Sequence, residues 1–212
     1  MNPVLLVIAG PNGSGKTTIT TRLRSEHWSE NVEYLNPDDI ARDRFGDWNS
    51  STAVMQAAEW TRARREELLK ARAGIAFETV FSAPDKVDFL RRASEAGYFT
   101  RVFFVSTTSP RINAARVTNR VMTGGHTVPI EKIISRYSGS MGNLAAAIEL
   151  ADRVYLYDNS TDGTEAVLVA RTQQGMLRKL YGGLPDWVRT AVDHLPRHAE
   201  FVDARHGTAP PG

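Results

Sequence analysis

Residues 4–18 read VLLVIAGPNGSGKTT. The first six form a short apolar run, which is typical of a buried strand, and the stretch that ends the run matches the pattern Gly, four residues, Gly-Lys-Thr. Glycines let successive backbone N–H groups turn towards one anion, and a helix that begins near Lys16 directs its positive end at the same charge. A plain strand-to-helix turn gives no reason for Lys-Thr directly after the last glycine. The stretch therefore predicts a P-loop that holds the phosphates of ATP.

The residues of this loop and two further side chains make up the predicted nucleotide site. Lys16 should bridge the β- and γ-phosphates, which also makes it a catalytic residue, and the Thr17 hydroxyl should bind a Mg²⁺ ion that keeps several waters. ATP and Mg²⁺ are therefore the predicted cofactors. The full set of predicted nucleotide-binding residues is Gly10, Pro11, Asn12, Gly13, Ser14, Gly15, Lys16, Thr17, Thr18, Arg116 and Asn159.

Strand and helix signals alternate along the chain. Apolar runs predict strands at 4–9, 32–35, 76–81, 101–106, 154–157 and 166–170. Helical patterns with cap or stop residues predict helices at 16–26, 50–72, 110–122 and 130–150, and another between the cap signal at 82–85 and Gly97. Apolar strands that alternate with helices imply an α/β fold with a parallel sheet and helices on both of its faces.

Composition limits the class of protein. The chain has 212 residues, of which 42% are hydrophobic and 24% charged, as in an ordinary soluble domain that needs no disulfide or structural metal. Cysteine is absent, which excludes thiol catalysis and cysteine-ligated zinc and fits a reducing cytoplasm. The opening apolar run is too short for a signal peptide, and no stretch is long enough for a membrane helix. We expect a cytoplasmic protein with a single P-loop kinase-like domain at 1–202 and a flexible tail at 203–212.

Acidic residues follow the second strand and interrupt the third. Asp38 lies where strand ends line the ligand crevice of a parallel sheet, so its carboxylate can accept a hydroxyl proton or hold a water on Mg²⁺. The alternative for Asp38 and Asp39 is a helix N-cap after Asn-Pro. Glu78 interrupts an apolar run, and it is therefore either paired within the sheet or facing the site.

Arginines gather in one segment that has few acids. Arg116 and Arg120 are one helical turn apart and would repel each other unless an anion or an acid lies between them. Arg136 comes from the following helix, and Gly-Gly at 124–125 supplies a hinge. This pattern predicts an arginine-bearing lid that closes over the triphosphate and neutralises charge in the transition state. The alternative, most relevant to Arg111, is a solvated basic helix face.

Two further polar residues have competing interpretations. His126 either touches a phosphate or caps the turn before Pro129. Asn159 follows the fifth strand, so that its amide either holds the adenine or belongs to an ordinary turn.

The set of motifs resembles the zeta-toxin-like P-loop kinases, in particular a group of small proteins often labelled as predicted ABC-type ATPases. The resemblance extends from residue 4 to about residue 170. The motifs that carry it are Gly-Pro-Asn-Gly-Ser-Gly-Lys-Thr-Thr at 10–18, Asn-Pro-Asp-Asp-Ile-Ala at 36–41, Phe-Glu-Thr at 77–79, Gly-Gly-His-Thr-Val-Pro at 124–129, Arg-Tyr at 136–137 and Tyr-Asp-Asn-Ser at 157–160.

The resemblance implies roles for these residues. Asp38 matches the catalytic base, and Arg120 and Arg136 resemble the γ-phosphate arginines of the family's lid. Ser82 departs from the family pattern, which has an arginine soon after the acid that Glu78 matches. The implied acceptor is a sugar nucleotide, UDP-N-acetylglucosamine, and the implied protein partner is an antitoxin. The predicted substrate-binding residues are Asp38, Asp39, Glu78, Thr79, Ser82 and His126.

The leading hypothesis is therefore a Mg²⁺- and ATP-dependent kinase that acts on a hydroxyl of a small molecule. A nucleotide-driven switch or ABC-type ATPase that binds a macromolecule is the second hypothesis, but the chain has no Leu-Ser-Gly-Gly-Gln signature and no apolar run that ends in Asp-Glu. A polynucleotide kinase is the third. A net charge of only +2 argues against nucleic acid as a partner.

Overall fold

The computed structural model describes residues 2–24, 26, 31–46, 50–122 and 128–201. These residues form eight strands in one sheet, in the order β2-β3-β1-β4-β5-β6-β7-β8. The strands are β1 (Val4–Ala9), β2 (Val32–Leu35), β3 (Gly74–Thr79), β4 (Phe99–Ser106), β5 (Arg153–Asp158), β6 (Val167–Gln173), β7 (Met176–Leu180) and β8 (Arg197–Phe201). The helices are α1 (Lys16–Leu23), α2 (Pro37–Phe45), α3 (Ser51–Lys70), α4 (Pro84–Glu95), α5 (Pro110–Met122), α6 (Ile130–Leu150) and α7 (Asp186–Val192).

The sheet is parallel over its first five strands and mixed beyond them. β1 pairs in parallel with β3 and β4, β2 with β3, and β4 with β5. β6 then runs antiparallel to both β5 and β7. The predicted α/β fold is confirmed with a mostly parallel sheet. Among the described strands the parallel prediction is wrong at β6 alone, because β7 and β8 run in the same direction as β1–β5. The connection between β5 and β6 is too short for the crossover that parallel neighbours need, so β6 pairs with β5 in the antiparallel direction.

Core residues lie on both faces of the sheet, because successive side chains of a strand point to opposite sides. Leu5 and Val7 of β1 belong to one buried cluster, to which α3, α4, α6 and α7 contribute Leu68, Leu90, Leu144 and Val188. Leu6 and Ile8 belong to the other cluster, to which α1 contributes Ile19 and Leu23. Helices therefore cover both faces, as predicted, but unequally.

Several element bounds differ from the sequence-based prediction. β3 ends at Thr79 instead of residue 81, because Phe81 has a left-handed backbone with φ of 60° that a strand cannot contain. A helix start after Asn36-Pro37 was only the alternative interpretation of Asp38 and Asp39. The structure has this helix, α2, but Asn36 is its N-cap and both aspartates lie in its first turn. The elements after β6 were also missed. They are β7, α7 and β8.

In the part of the chain that the structure describes, no helix has the length and apolar character that crossing a bilayer requires. The predicted tail at 203–212 lies outside the described residues. A single domain at 1–202 stays a prediction.

Candidate active site

Three loops meet at the carboxyl edge of the parallel strands. The P-loop follows β1, Asn36 follows β2, and residues 80–83 follow β3. β1 pairs directly with β3, with Ile8 opposite Glu78 in the register, and β3 pairs with β2. The predicted phosphate-binding and acidic residues are therefore brought to one end of the sheet, which is where open α/β sheets bind ligands.

The P-loop leaves an open cradle because two of its glycines exclude side chains. Gly10 has φ of 144°, and a Cβ there would lie 2.0 Å from the carbonyl oxygen of Val105. Gly15 caps α1 with φ of 93°, and a Cβ there would lie 2.2 Å from Nδ2 of Asn159. Both positions require glycine on conformational and on steric grounds. This backbone, together with the first turn of α1, fits the triphosphate of a nucleotide.

One side chain from helix α5 and one from the segment after β5 hold the cradle in place. Asn113 of α5 is completely buried, donates from Nδ2 to the carbonyl oxygen of Asn12 at 2.6 Å, and accepts a hydrogen bond from the hydroxyl of Thr107. Asn159 donates from Nδ2 to the carbonyl oxygen of Ser14 at 2.8 Å. Its amide thus supports the P-loop backbone, and a contact with adenine, one of its two predicted roles, stays a prediction. Sequence reasoning missed Asn113, because one asparagine in a helical stretch gives no signal.

The Lys16 side chain lies against the P-loop backbone. Its ammonium donates to the carbonyl oxygens of Gly10 and Pro11, both at 2.9 Å. Burial lowers the pKa of Lys16 to about 8, and the nearby carboxylates of Glu78 and Asp38 oppose that shift. The lysine is therefore a desolvated cation that an entering phosphate would stabilise.

The affinity for Mg-ATP is expected to fall as the pH rises above about 8. Below that pH Lys16 is protonated in both the free and the bound protein, so binding takes up no proton. Above it the free protein has lost this charge, while the bound triphosphate raises the pKa, so binding must take up a proton. Calorimetry in two buffers that differ in ionisation enthalpy measures that uptake, which should approach one proton near about pH 9 and vanish near about pH 7. A Lys16→Arg variant should show no uptake at either pH, and uptake that persists in it would contradict this assignment.

Glu78 is held by one carboxylate oxygen. Only 8% of the residue is exposed. Its Oε2 accepts hydrogen bonds from Tyr34 Oη at 2.9 Å and from Asn36 Nδ2 at 3.1 Å, whereas the buried Oε1 has no partner among the described residues. Burial raises the pKa of Glu78, and Lys16 partly offsets that effect. The acid is thus both paired within the sheet and able to accept a bond from a substrate group.

The two neighbouring aspartates have different surroundings. Asp38 lies in the first turn of α2, where its backbone N–H donates to Asn36 Oδ1 at 3.0 Å. Its exposed carboxylate forms no hydrogen bond or ion pair with the described part of the chain, and the positive end of α2 favours its charge. Asp39 instead pairs with Arg42 at 3.2 Å and does not line the cavity described next.

One cavity of about 430 Å³ brings most of the predicted residues together. Its size is within the range of small-molecule sites. The predicted residues in its wall are Asn12, Gly13, Lys16, Thr17, Asp38, Glu78, Thr79, Ser82, Arg120 and Arg136. Arg136 also donates to Asn12 Oδ1 at 3.4 Å.

Other predicted residues lie elsewhere. Arg116 borders a second cavity of about 230 Å³ with Gly15, Thr17 and Arg120, and its guanidinium is already paired with Asp162 at 2.6 Å and with the Asn159 carbonyl oxygen at 2.7 Å. Thr18 and Arg111 are exposed and line neither cavity. His126 lies outside the described residues.

The donors in the larger cavity suit Mg²⁺ that arrives with a nucleotide. Thr17, Asp38 and Glu78 supply one hydroxyl and two carboxylates to the same wall. No group of three or more His, Cys, Asp or Glu side chains with metal-ligand geometry occurs in the described ranges. Mg²⁺ is commonly held by one or two protein groups and by substrate phosphates rather than by a complete protein cage.

Comparison with known proteins gives one family and several related folds. The profile of the family described as "Zeta toxin" matches residues 1–170. An uncharacterized protein from Haemophilus influenzae is 27% identical over 128 residues, which cover 60% of this chain and 88% of that protein.

Two solved structures extend this comparison. A chain of the AvrRxo1-ORF1:AvrRxo1-ORF2 complex with sulphate ions superposes with a TM-score of 0.63 at 18% identity, covering 92% of this chain and 65% of that one. This chain thus spans less than two thirds of that protein's length. A structure of the PezAT chromosomal toxin–antitoxin system of Streptococcus pneumoniae superposes with a TM-score of 0.55 at 14% identity, covering 78% and 71%. The predicted kinase-type P-loop fold is confirmed.

Proposed function

We propose, because the chain belongs to the zeta toxin family, that it is an ATP- and Mg²⁺-dependent phosphotransferase that moves the γ-phosphoryl group to a hydroxyl of a small molecule. The observation that carries the proposal is the single cavity lined by the P-loop lysine, Asp38, Arg120 and Arg136. Positioning and charge neutralisation are what phosphoryl transfer requires of a protein. UDP-N-acetylglucosamine is the first candidate acceptor.

Each group in the cavity has a distinct task in this reaction. The P-loop amides and Lys16 hold the β- and γ-phosphates, and Arg120 and Arg136 offset the charge that develops on the transferred group. Asp38 takes the proton of the acceptor hydroxyl as the new P–O bond forms and ADP leaves. Mg²⁺, when bound with the nucleotide, neutralises phosphate charge, and Thr17 is its predicted protein ligand.

Glu78 is the proposed contact to the acceptor. Hydrogen bonds to Oε2 fix the carboxyl group in the cavity wall, and a substrate hydroxyl that reaches the buried Oε1 would give it a partner. Thr79 and Ser82 line the same wall, and their hydroxyls offer further hydrogen bonds to the acceptor.

An antitoxin protein is the proposed macromolecular partner. The PezAT likeness supports this proposal, because that structure belongs to a toxin–antitoxin system. If the chain acts as a toxin, its expression alone should arrest growth of the host, and expression of the Asp38→Asn variant should not. Equal growth with both proteins would contradict toxicity.

The direct test incubates the protein with γ-labelled Mg-ATP and a panel of acceptors that includes UDP-N-acetylglucosamine. We expect label to appear in an acceptor only when enzyme, Mg²⁺ and ATP are all present. Release of labelled inorganic phosphate at the same rate with and without every acceptor would contradict a kinase and favour an ATPase. Labelled RNA or DNA ends would favour a polynucleotide kinase.

A further inference from the structure

Arg65 is a buried cation in the wall of the larger cavity. Only 5% of the residue is exposed, although it lines the larger cavity. Its guanidinium lies over the rings of Phe77 at 4.7 Å and Phe89 at 5.4 Å. It forms no hydrogen bond or ion pair with any residue that the structure describes, and its Nε is buried without a partner. Burial lowers its pKa, which reflects the cost of holding this charge away from water.

The position of Arg65 in α3 directs it into the cavity wall. Four residues of α3 line the cavity, and they lie on one side of the helix at a spacing of three or four residues, as a helical face requires. They are Val54, Ala58, Thr61 and Arg65. Three of them are apolar or small, so Arg65 is the charged end of an otherwise weakly polar stripe.

Lys86 of α4 lies in the same wall and adds a second cation. It is half-buried, and Arg65 is among the charges that lower its pKa. Its ammonium contacts the neighbouring carboxylate of Asp85, and Glu66 is engaged with Arg92 at 2.7 Å. The acids nearest to Arg65 are thus already paired. Asp85 also acts on Arg65, so one carboxylate is shared by two cations and the pair keeps a net positive charge.

These cations are separate from the nucleotide site. The charged groups that act on Lys16 are Glu78, Asp38 and Arg120. Those that act on Arg65 are a different set, namely Asp85, Glu66, Arg62 and Arg92. Arg65 therefore lies in the same cavity as Lys16 but in a different electrostatic environment.

We propose that Arg65 and Lys86 form an anion subsite for the acceptor, so that the alcohol which receives the phosphoryl group already carries a phosphate or carboxylate group. The inference rests on the proposed phosphotransferase function and narrows its substrate class. A guanidinium matches two oxygens of either group, and a lysine adds a mobile charge. The wall that presents them is fixed, because the Phe81 N–H donates to Thr79 Oγ1 at 3.1 Å and the Phe81 carbonyl oxygen accepts from Asn143 Nδ2 at 2.9 Å.

A structural role alone does not account for Arg65. A methionine or leucine would fill the space over Phe77 and Phe89 without the cost of burying a charge. An anionic group of the acceptor would offset the part of this charge that Asp85 and Glu66 do not. Arg65→Met is accordingly the informative substitution, since it keeps an apolar stem over the two rings and removes only the charge.

The test measures binding of inorganic phosphate by calorimetry to the protein saturated with Mg-AMP-PNP, which fills the P-loop. We expect saturable binding that Arg65→Met weakens by about tenfold or more, as loss of a charge-assisted contact should. Lys70→Met is the control, because Lys70 is exposed at the end of the same helix, lines no part of the cavity and is not among the charges that act on Arg65 or Lys86. It should leave phosphate binding unchanged. If Arg65→Met does not fold, Lys86→Met decides the question by the same measurement.

Acceptor kinetics separate this inference from the proposed function. We expect transfer to UDP-N-acetylglucosamine or to monophosphorylated sugars and hydroxy acids, but not to N-acetylglucosamine, and a raised KM with little change in kcat for Arg65→Met. Whether the phosphorylated sugars or the hydroxy acids are the active acceptors shows which anionic group, phosphate or carboxylate, the subsite binds. If no acceptor is phosphorylated but inorganic phosphate still binds and Arg65→Met weakens that binding, the proposed function is contradicted and the anion subsite is not. Two results would overturn the subsite and leave the proposed function intact. One is transfer to neutral sugars with the same KM in the wild type and in Arg65→Met, and the other is phosphate binding that Arg65→Met leaves unchanged.

Discussion

Lys16→Met is expected to weaken Mg-ATP binding by about tenfold or more and to lower phosphoryl transfer by about 10² to 10³. The ammonium donates to the Gly10 and Pro11 carbonyl oxygens in the free protein, and a phosphate that enters the cradle replaces these two acceptors with a full negative charge. Methionine fills a similar volume but cannot donate. The loss should therefore appear in both the binding constant and the rate of transfer.

The stability of the variant separates this effect from a folding defect. Burial disfavours the charged form of Lys16 in the free protein, as its lowered pKa shows, so replacement by an apolar side chain should not lower the Tm appreciably. Calorimetry with Mg-ATP and a thermal melt measure the two quantities. Lys70→Met, at the exposed end of α3, is the matched control and should change neither. Wild-type affinity in Lys16→Met would remove the P-loop from the proposed mechanism.

The sequence was sufficient for the elements that carry the nucleotide loop. The apolar run of β1, the glycines and the start of α1 at Lys16 are local features, and each has a local physical cause. The predicted bounds of α5 and α6 are also confirmed, because Pro110 and Ile130 begin helical patterns that follow turns. Local signals failed where tertiary contacts decide, as at Phe81, whose left-handed backbone ends β3 early.

Long-range contacts also decided what the polar residues do. The amide of Asn159 and the side chain of Asn113 both support the P-loop across more than one hundred residues of sequence, and no spacing rule predicts such pairs. Arg65 could have been noticed, because it lies four residues after Thr61 and three before Leu68, on the buried side of α3. The run Arg62-Ala63-Arg64-Arg65 instead has the sequence of a solvated basic helix face. Its other arginines do lie at the surface, because Arg62 is exposed and Arg64 forms an ion pair with Glu33.

The geometry also gives a reason to separate Asp38 from Asp39, which the sequence left together. Both lie in the first turn of α2 and both strengthen its start. Asp39 is paired with Arg42 outside the cavity, whereas Asp38 lines the cavity beside Lys16 and lies close enough to oppose the shift in its pKa. The two residues are therefore a natural pair of test and control.

Asp38→Asn is expected to lower kcat for phosphoryl transfer by about 10² or more and to leave Mg-ATP affinity nearly unchanged at about pH 7. An asparagine keeps the shape and the hydrogen-bonding capacity of the side chain but cannot accept the hydroxyl proton. Removal of the carboxylate also takes away a charge that raises the pKa of Lys16. The measurement therefore belongs well below about pH 8, where the lysine stays protonated in both proteins.

Asp39→Asn removes the same charge from the same helix turn and is expected to retain nearly full activity, because Asp39 contacts Arg42 and not the cavity. Single-turnover measurements with saturating Mg-ATP should report the chemical step for all three proteins. Equal transfer by Asp38→Asn and the wild type would exclude Asp38 as the base. If both variants lose transfer rate equally, the effect comes from the start of α2 and not from proton transfer. The two substitutions have in common only that each removes a stabilising negative charge from the first turn of this helix.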